Sequence, residues 1–208
     1  MAGESILIAD DHPLFRQALS LAASRIRPDA RIIEAGTLDT ASRAAEANAD
    51  IALILLDLNM PGATGYSGVA LLHAERPGIP ILVVSSAEAS SAAAEARRFG
   101  AVGFVSKESD LATIERAIAN ALAGETIEAP ASGELDDVAA RVAALTPTQL
   151  RVLLGVLDGR LNKQIAFDLG ITEATVKAHM TVILRKLDVG NRTQAALAAR
   201  ALGIGIKH

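Results

Sequence analysis

Five short apolar runs set the strongest limit on what this chain can fold into: "ILIA" at 6–9, "RIIEA" at 31–35, "IALILL" at 51–56, "ILVV" at 81–84 and "GFVS" at 103–106. They are strand-sized, and the purely aliphatic ones lack the alternation of a half-exposed strand, so they read as strands covered on both faces. Between them lie helix-forming stretches such as "LFRQALSLAASRI", "TASRAAEANA", "GVALLHAER" and "SAAAEARRFG", with "LATIERAIANALAG" after the last. Five β-α units in series predict an α/β domain, a doubly wound five-stranded parallel sheet, over residues 1–124.

After residue 124 the pattern lapses into "ETIEAPASGELDDVAARVAA", read as a linker over 125–144 with a helical second half. From "LTPTQL" onward no strand signal appears, and residues 145–208 read as a small all-α unit of four helices. Thr146 before Pro147, and Thr172 before Glu173, fit two of their N-caps. Charge divides the same way. Residues 1–124 hold 10 Lys/Arg against 15 Asp/Glu, the linker 1 against 5, and residues 145–208 hold 9 against 4. An acidic body and a basic tail point to different partners for the two ends.

No apolar run approaches the roughly 18 residues that cross a bilayer, and no basic region with a long apolar core opens the chain. A cytoplasmic protein with no membrane partner is expected. Zero cysteines exclude a disulfide framework and a thiolate metal site. His12, His73, His179 and His208 have no shared-face ligand spacing, so zinc is not expected. Aromatics at 2% argue against a surface built on stacked bases.

In an open parallel sheet, ligands gather outside the carboxyl ends of the strands. The residues there are Asp10 and Asp11 after the first run, Asp57 after the third, Ser85 and Ser86 closing and following the fourth, and Lys107 after the fifth. Singly each has an ordinary use: Asp10 or Asp11 as a helix cap, Asp57 as the start of the "NMPG" turn, Lys107 in solvent. Together they form three carboxylates, a hydroxyl and an ammonium on one edge. Such carboxylates repel unless a cation neutralises them, and all-oxygen ligands favour Mg²⁺. Asp57 then becomes a candidate nucleophile toward a phosphoryl group, with Lys107 and Ser85 placed for its oxygens.

On "ADDH", "LLDLNMPGATG", "VVSSA" and "GFVSK", residues 1–124 resemble the receiver domain of two-component response regulators. The resemblance implies a flavodoxin-like sheet in which a sensor histidine kinase phosphorylates Asp57. It also implies Mg²⁺ on Asp10, Asp11, Asp57 and the main-chain carbonyl of Asn59, with Ser85 and Phe104 as the switch. Two positions depart from the common pattern. Glu108 follows the lysine where Pro is frequent. Ser86 stands where Ala or Gly is common, which predicts a changed dephosphorylation rate.

In "TEATVKAHMTVILRKLDV" at 100° per residue, Val176, Met180, Ile183 and Leu187 share one narrow stripe. Opposite lie Ala174, Lys177, Ala178, Thr181 and Arg185, small residues flanked by cations, which suits a helix pressed into a major groove. Upstream, "NKQIAFDLGIT" supplies a two-turn helix and a Gly-containing break at helix-turn-helix spacing. Asn162, Lys163, Thr175 and Lys186 flank the unit and are expected on phosphates. A protein-binding helical bundle with an ordinary charged face fits the periodicity as well. The balance shifts on "LTPTQLRVL", "NKQIAFDLGITEATVKAHMTVILRKLDV" and "NRTQA", by which residues 145–208 resemble the LuxR-type DNA-binding domain. Gln149 replaces that family's common glutamate.

Over its full length the chain is thus similar to NarL/FixJ-type response regulators. That implies a transcription factor and not an enzyme, binding double-stranded DNA and dimerising when phosphorylated, with the Ala-rich last helix "RTQAALAARALG" as the contact. The acidic receiver and connector would shield the basic tail at rest. Two rivals stay open. One is a receiver that dimerises irrespective of phosphate; the other is a phosphohydrolase using Asp57, against which Asn59 stands where a second Asp would serve.

Overall fold

The structure is a computed structural model that describes residues 4–86, 89–124 and 134–204. The linker segment 125–133 and His208, on which expectations were stated, lie outside them. The first half runs β1 (Ser5–Ala9), α1 (Pro13–Ile26), β2 (Arg31–Ala35), α2 (Leu38–Ala47), β3 (Ile51–Leu56), α3 (Ser67–Glu75), β4 (Ile81–Ser85), α4 (Ala89–Arg98), β5 (Gly103–Ser106) and α5 (Leu111–Leu122). All pairings are parallel, in the order β2-β1-β3-β4-β5.

The continuous apolar runs are explained by a core on each side of the sheet. Ile6, Ile8, Leu53, Leu55, Leu82 and Val84 face one way, against Leu19 of α1 and Ile114 and Ile118 of α5. Their neighbours Leu7, Ala9, Ile54, Leu56, Ile81 and Val83 face the other, against α2, α3 and α4. Edge strand β2 lacks this double cover: Arg31 and Glu34 are exposed. Because β1 passes on to β2 and β3 to β4, the chain diverges between β1 and β3, which opens a crevice at their carboxyl ends.

The second half is helical: α6 (Glu134–Ala143), α7 (Pro147–Leu157), α8 (Asn162–Leu169), α9 (Glu173–Leu187) and α10 (Arg192–Ala201). Thr146 caps α7 in a reciprocal box with Gln149, and the Thr172 hydroxyl accepts from the Thr175 N–H at the start of α9. Val176, Met180, Ile183 and Leu187 are buried, as the stripe predicts.

The halves share one continuous apolar cluster. Helix α7 packs on α3, and α6 packs on α3 and α4. At the centre of this junction, Arg151 Nη2 of α7 donates to Glu75 Oε1 and to Ser42 Oγ, each at 2.7 Å. Ser42 Oγ itself donates to Glu75 Oε1 at 2.7 Å. Beyond α10, Ile204 forms an antiparallel bridge with Gly65, and the Tyr66 N–H donates to Gly203 O at 3.4 Å. Gly203 has φ +73°, and a Cβ there would lie 3.1 Å from the Tyr66 ring, so the close approach requires glycine.

Candidate functional site: an acidic crevice and a helix-turn-helix

Asp10 and Asp57 follow β1 and β3 directly, so the buried backbone of two neighbouring strands fixes both carboxylates at the divergence point. Their side chains are 1% exposed; that of Asp11 is 34% exposed. Lys107 Nζ, delivered from the end of β5, lies 2.6 Å from Asp10 Oδ2 and donates to Asp57 Oδ2 at 2.8 Å. The approach to Asp10 is an ion pair without hydrogen-bond alignment, leaving Oδ2 of that buried carboxylate unbonded. Ser85 is fully buried at the end of β4, and its carbonyl accepts the Lys107 N–H at 3.1 Å. Phe104 is partly buried against the core, Asn59 is exposed, and Ser86 is exposed.

The ordinary uses of these acids fare unevenly. Neither Asp10 nor Asp11 caps α1, whose N-cap is His12 without a side-chain bond. Instead Asp10 Oδ1 accepts the His12 N–H at 2.8 Å. Asp57 does brace its turn, with Oδ1 accepting the Asn59 N–H at 3.1 Å. Two neighbours escaped the sequence reading. His12 Nδ1 stands 2.7 Å from Asp11 Oδ1, and Phe15 places its ring 4.8 Å under the Lys107 ammonium. Only the spacing of "DDHPLF" hinted at either.

Ligand atoms of Asp10, Asp11, His12 and Asp57 all lie within 4.8 Å of one another. Three carboxylates, one of them buried with an unbonded oxygen, make a donor set that fits a hard divalent cation.

In the helical half, Ala174, Lys177, Ala178, Thr181 and Arg185 are all exposed along one side of α9. The receiver-like half packs elsewhere, so no direct covering of this face accompanies the junction. Thr175 is half-buried, its hydroxyl 2.8 Å from that of the cap Thr172. Lys163 is exposed at the first turn of α8, while Asn162 Oδ1 accepts from Arg192 at 2.8 Å. Lys186, one residue on from Arg185, donates from Nζ to Ala144 O at 2.7 Å and to Gln149 Oε1 at 3.0 Å. Ala195 and Ala199 of α10 point into their own domain, and Leu197 is the large apolar side chain left outside.

A divergent parallel sheet with an acid-lysine crevice, joined to a helix-turn-helix, is the architecture of a two-part DNA-binding regulator. The chain matches the response regulator receiver domain over residues 6–119 and the bacterial regulatory proteins, luxR family, over residues 143–199. It is 41% identical over 207 residues to the glycerol metabolism activator of Pseudomonas putida, covering 93% of this chain and 94% of that one. It is 32% identical to the nitrate/nitrite response regulator protein NarL of Escherichia coli K12, with 93% of each covered. Among solved structures, a LuxR-family two-component response regulator from Aurantimonas sp. SI85-9A1 superposes with TM-score 0.55 at 28% identity, over 62% of this chain and 91% of that one. The RcsB–DNA complex superposes with TM-score 0.54 at 18% identity over 96% and 98%, a likeness of fold. The chain belongs to the NarL/FixJ-type response regulators. It is a DNA-binding transcriptional regulator, not an enzyme with an outside substrate, and no described helix is long and apolar enough to cross a membrane.

Proposed function

We propose that this regulator is switched by phosphorylation of Asp57, the phosphoryl group coming from a sensor histidine kinase. The placement of the Lys107 ammonium between Asp57 and Asp10 at the β1/β3 divergence carries the reading. A carboxylate oxygen of Asp57 attacks phosphorus, the P–O bond forms as the donor's P–N bond breaks, and the departing imidazole nitrogen takes up a proton. Asp10, Asp11, Asp57 and the main-chain carbonyl of Asn59 would hold Mg²⁺, which when bound offsets negative charge on the phosphoryl oxygens. Lys107 follows the new charge, Ser85 bonds a phosphoryl oxygen, and Phe104 turns inward behind it. Phosphate then loosens the junction between residues 1–124 and 145–208 and favours a homodimer, acting in the cytoplasm on paired half-sites.

Lys177, Ala178, Thr181 and Arg185 read or line the groove, with Lys163 and Thr175 on phosphates. Purified protein given acetyl phosphate and Mg²⁺ should gain one phosphoryl adduct by mass, mapped to Asp57 and absent from Asp57→Asn. An adduct that persists in Asp57→Asn, or operator affinity indifferent to the adduct at fixed salt, refutes the switch.

A further inference from the structure

The acidic crevice holds a donor atom that a set of oxygen ligands leaves unused. Ligand atoms of Asp10, Asp11, Asp57 and His12 lie within 4.8 Å of one another, so an imidazole nitrogen stands among the carboxylates. The chain itself fixes its place. The His12 N–H donates to Asp10 Oδ1 at 2.8 Å, and Pro13 opens α1 directly after it. His12 is the N-cap of that helix, yet its side chain makes no capping bond, and its ring meets the carboxylates instead.

Nδ1 of His12 lies 2.7 Å from Asp11 Oδ1, 3.1 Å from Asp10 Oδ1 and 3.5 Å from Lys107 Nζ. A single hydrogen on Nδ1 can serve only one of the two carboxylate oxygens well, and an ammonium has no lone pair to accept it. Asp10 Oδ2, on a side chain 1% exposed, has no hydrogen-bond partner. With the ring hydrogen on Nε2, Nδ1 becomes one more acceptor in this group, and a divalent cation satisfies such a surplus of acceptors together.

We propose that His12 Nδ1 is a direct ligand of the crevice's divalent cation, and that the site therefore prefers a first-row transition ion such as Mn²⁺ to Mg²⁺. Imidazole adds little for Mg²⁺ and more for the transition ions, so one nitrogen among oxygens moves the preference away from that of carboxylates alone. No second histidine is needed, because the other ligands are carboxylates carried by strand ends. The inference deepens the proposed phosphorylation of Asp57, on which it rests, by naming the ion that serves it.

Mn²⁺ and Mg²⁺ are titrated separately into the full-length protein by calorimetry, and the Mn²⁺ complex is read by pulsed electron paramagnetic resonance for nitrogen hyperfine coupling. His12→Asn keeps an amide that can hydrogen-bond Asp11 and suits an N-cap, but offers no nitrogen lone pair. Wild type should show an imidazole coupling that His12→Asn lacks. The variant's Mn²⁺ affinity should fall roughly tenfold while its Mg²⁺ affinity stays within about twofold. Mn²⁺ bound without nitrogen coupling, or coupling and affinity unchanged in His12→Asn, would overturn the proposal and leave His12 as a hydrogen-bond partner of Asp11. Acetyl-phosphate labelling in Mg²⁺ alone reads the Asp57 assignment independently. Labelling that persists without nitrogen coupling sinks this inference only, whereas a protein that neither labels nor binds either ion loses both.

Discussion

Arg151 is the perturbation from which most can be learned. Its guanidinium reaches Glu75, whose side chain is 8% exposed, across the junction at 2.7 Å, while Arg151 itself is 36% exposed. Removing one partner of a buried pair costs about 3–5 kcal/mol, and the exposure of Arg151 lowers that toward the ~2 kcal/mol of one charge-assisted hydrogen bond. Arg151→Ala leaves the Glu75 carboxylate with only the Ser42 hydroxyl, its Oε2 being already unbonded. A loss of ~2 kcal/mol shifts the ratio of clasped to open molecules about 30-fold. Glu75→Gln keeps an oxygen that accepts from Ser42 and Arg151 and removes a desolvated charge, so its effect should stay within about 0.5 kcal/mol.

Burial, the dominant influence, pushes Glu75 above its ordinary value of 4.5, although Ser42 and Arg151 pull the other way. Protonation therefore favours the clasped form over one with Glu75 hydrated. The clasped fraction should rise as pH falls from neutrality through the raised value and level off below 4.5, and Glu75→Gln should lose that dependence. The cysteine-free chain takes a specific label pair at Ala47→Cys and Thr193→Cys, both exposed, so energy transfer can count open molecules. Equal distributions for Arg151→Ala and wild type, or Glu75→Gln opening as widely as Arg151→Ala, would refute the reasoning.

Gln149→Glu should stabilise the helical half by ~1 kcal/mol near pH 7 and raise its thermal midpoint accordingly. A carboxylate would take both the Thr146 N–H at 3.1 Å and the Lys186 ammonium at 3.0 Å; an unchanged or lower midpoint by calorimetry counts against it. Gly100→Ala should cost ~2 kcal/mol or more by urea denaturation, because φ is +102° and the added Cβ would lie 2.4 Å from the His73 ring. Phe15→Leu removes the ring under Lys107 and should slow acetyl-phosphate labelling of Asp57 several-fold, leaving stability nearly unaltered. Burial holds His73 below its ordinary 6.5, so its contribution to stability should fade as pH drops below 6.5, a fade that denaturation curves of His73→Gln should lack.

What could be read from the sequence was local or periodic. The apolar runs locate all five strands, with β1 differing by one residue and "ILVV" extended by Ser85, because double burial leaves a compositional trace. Strand ends locate Asp10, Asp57 and Lys107 because a parallel sheet puts every carboxyl end on one side. The α9 stripe is legible because 3.6-residue periodicity survives any context. Pairings between remote side chains were not legible. Glu75 and Arg151 are 76 positions apart and look like two ordinary surface charges until α3 and α7 pack. Lys186 lies next to Arg185 in sequence, which gives no sign of its bonds to the Ala144 carbonyl and the Gln149 amide. The alanines of α10 look ready for a partner helix, yet Ala195 and Ala199 fill their own domain.

The junction also bears on how a charge at Asp57 travels. Asp57 opens the β3–α3 connection and Tyr66 closes it. Between them Leu58 and Met60 are buried, and Pro61 O accepts the Leu38 N–H of α2 at 2.9 Å. The far end of that connection is where Gly65 and Tyr66 meet Ile204 and Gly203. A second route leads from Lys107 along β5 to Phe99, whose ring stacks on Tyr66 with centroids 6.0 Å apart. Both routes converge on Tyr66, the residue that meets the end of the helical half. Coupling of this kind requires an element with two arrangements of similar free energy. Beside the apolar packing of α7 on α3 and of α6 on α3 and α4, the junction holds one ion pair, one long hydrogen bond and one bridge, polar contacts on which a coupling of ~1–3 kcal/mol can act.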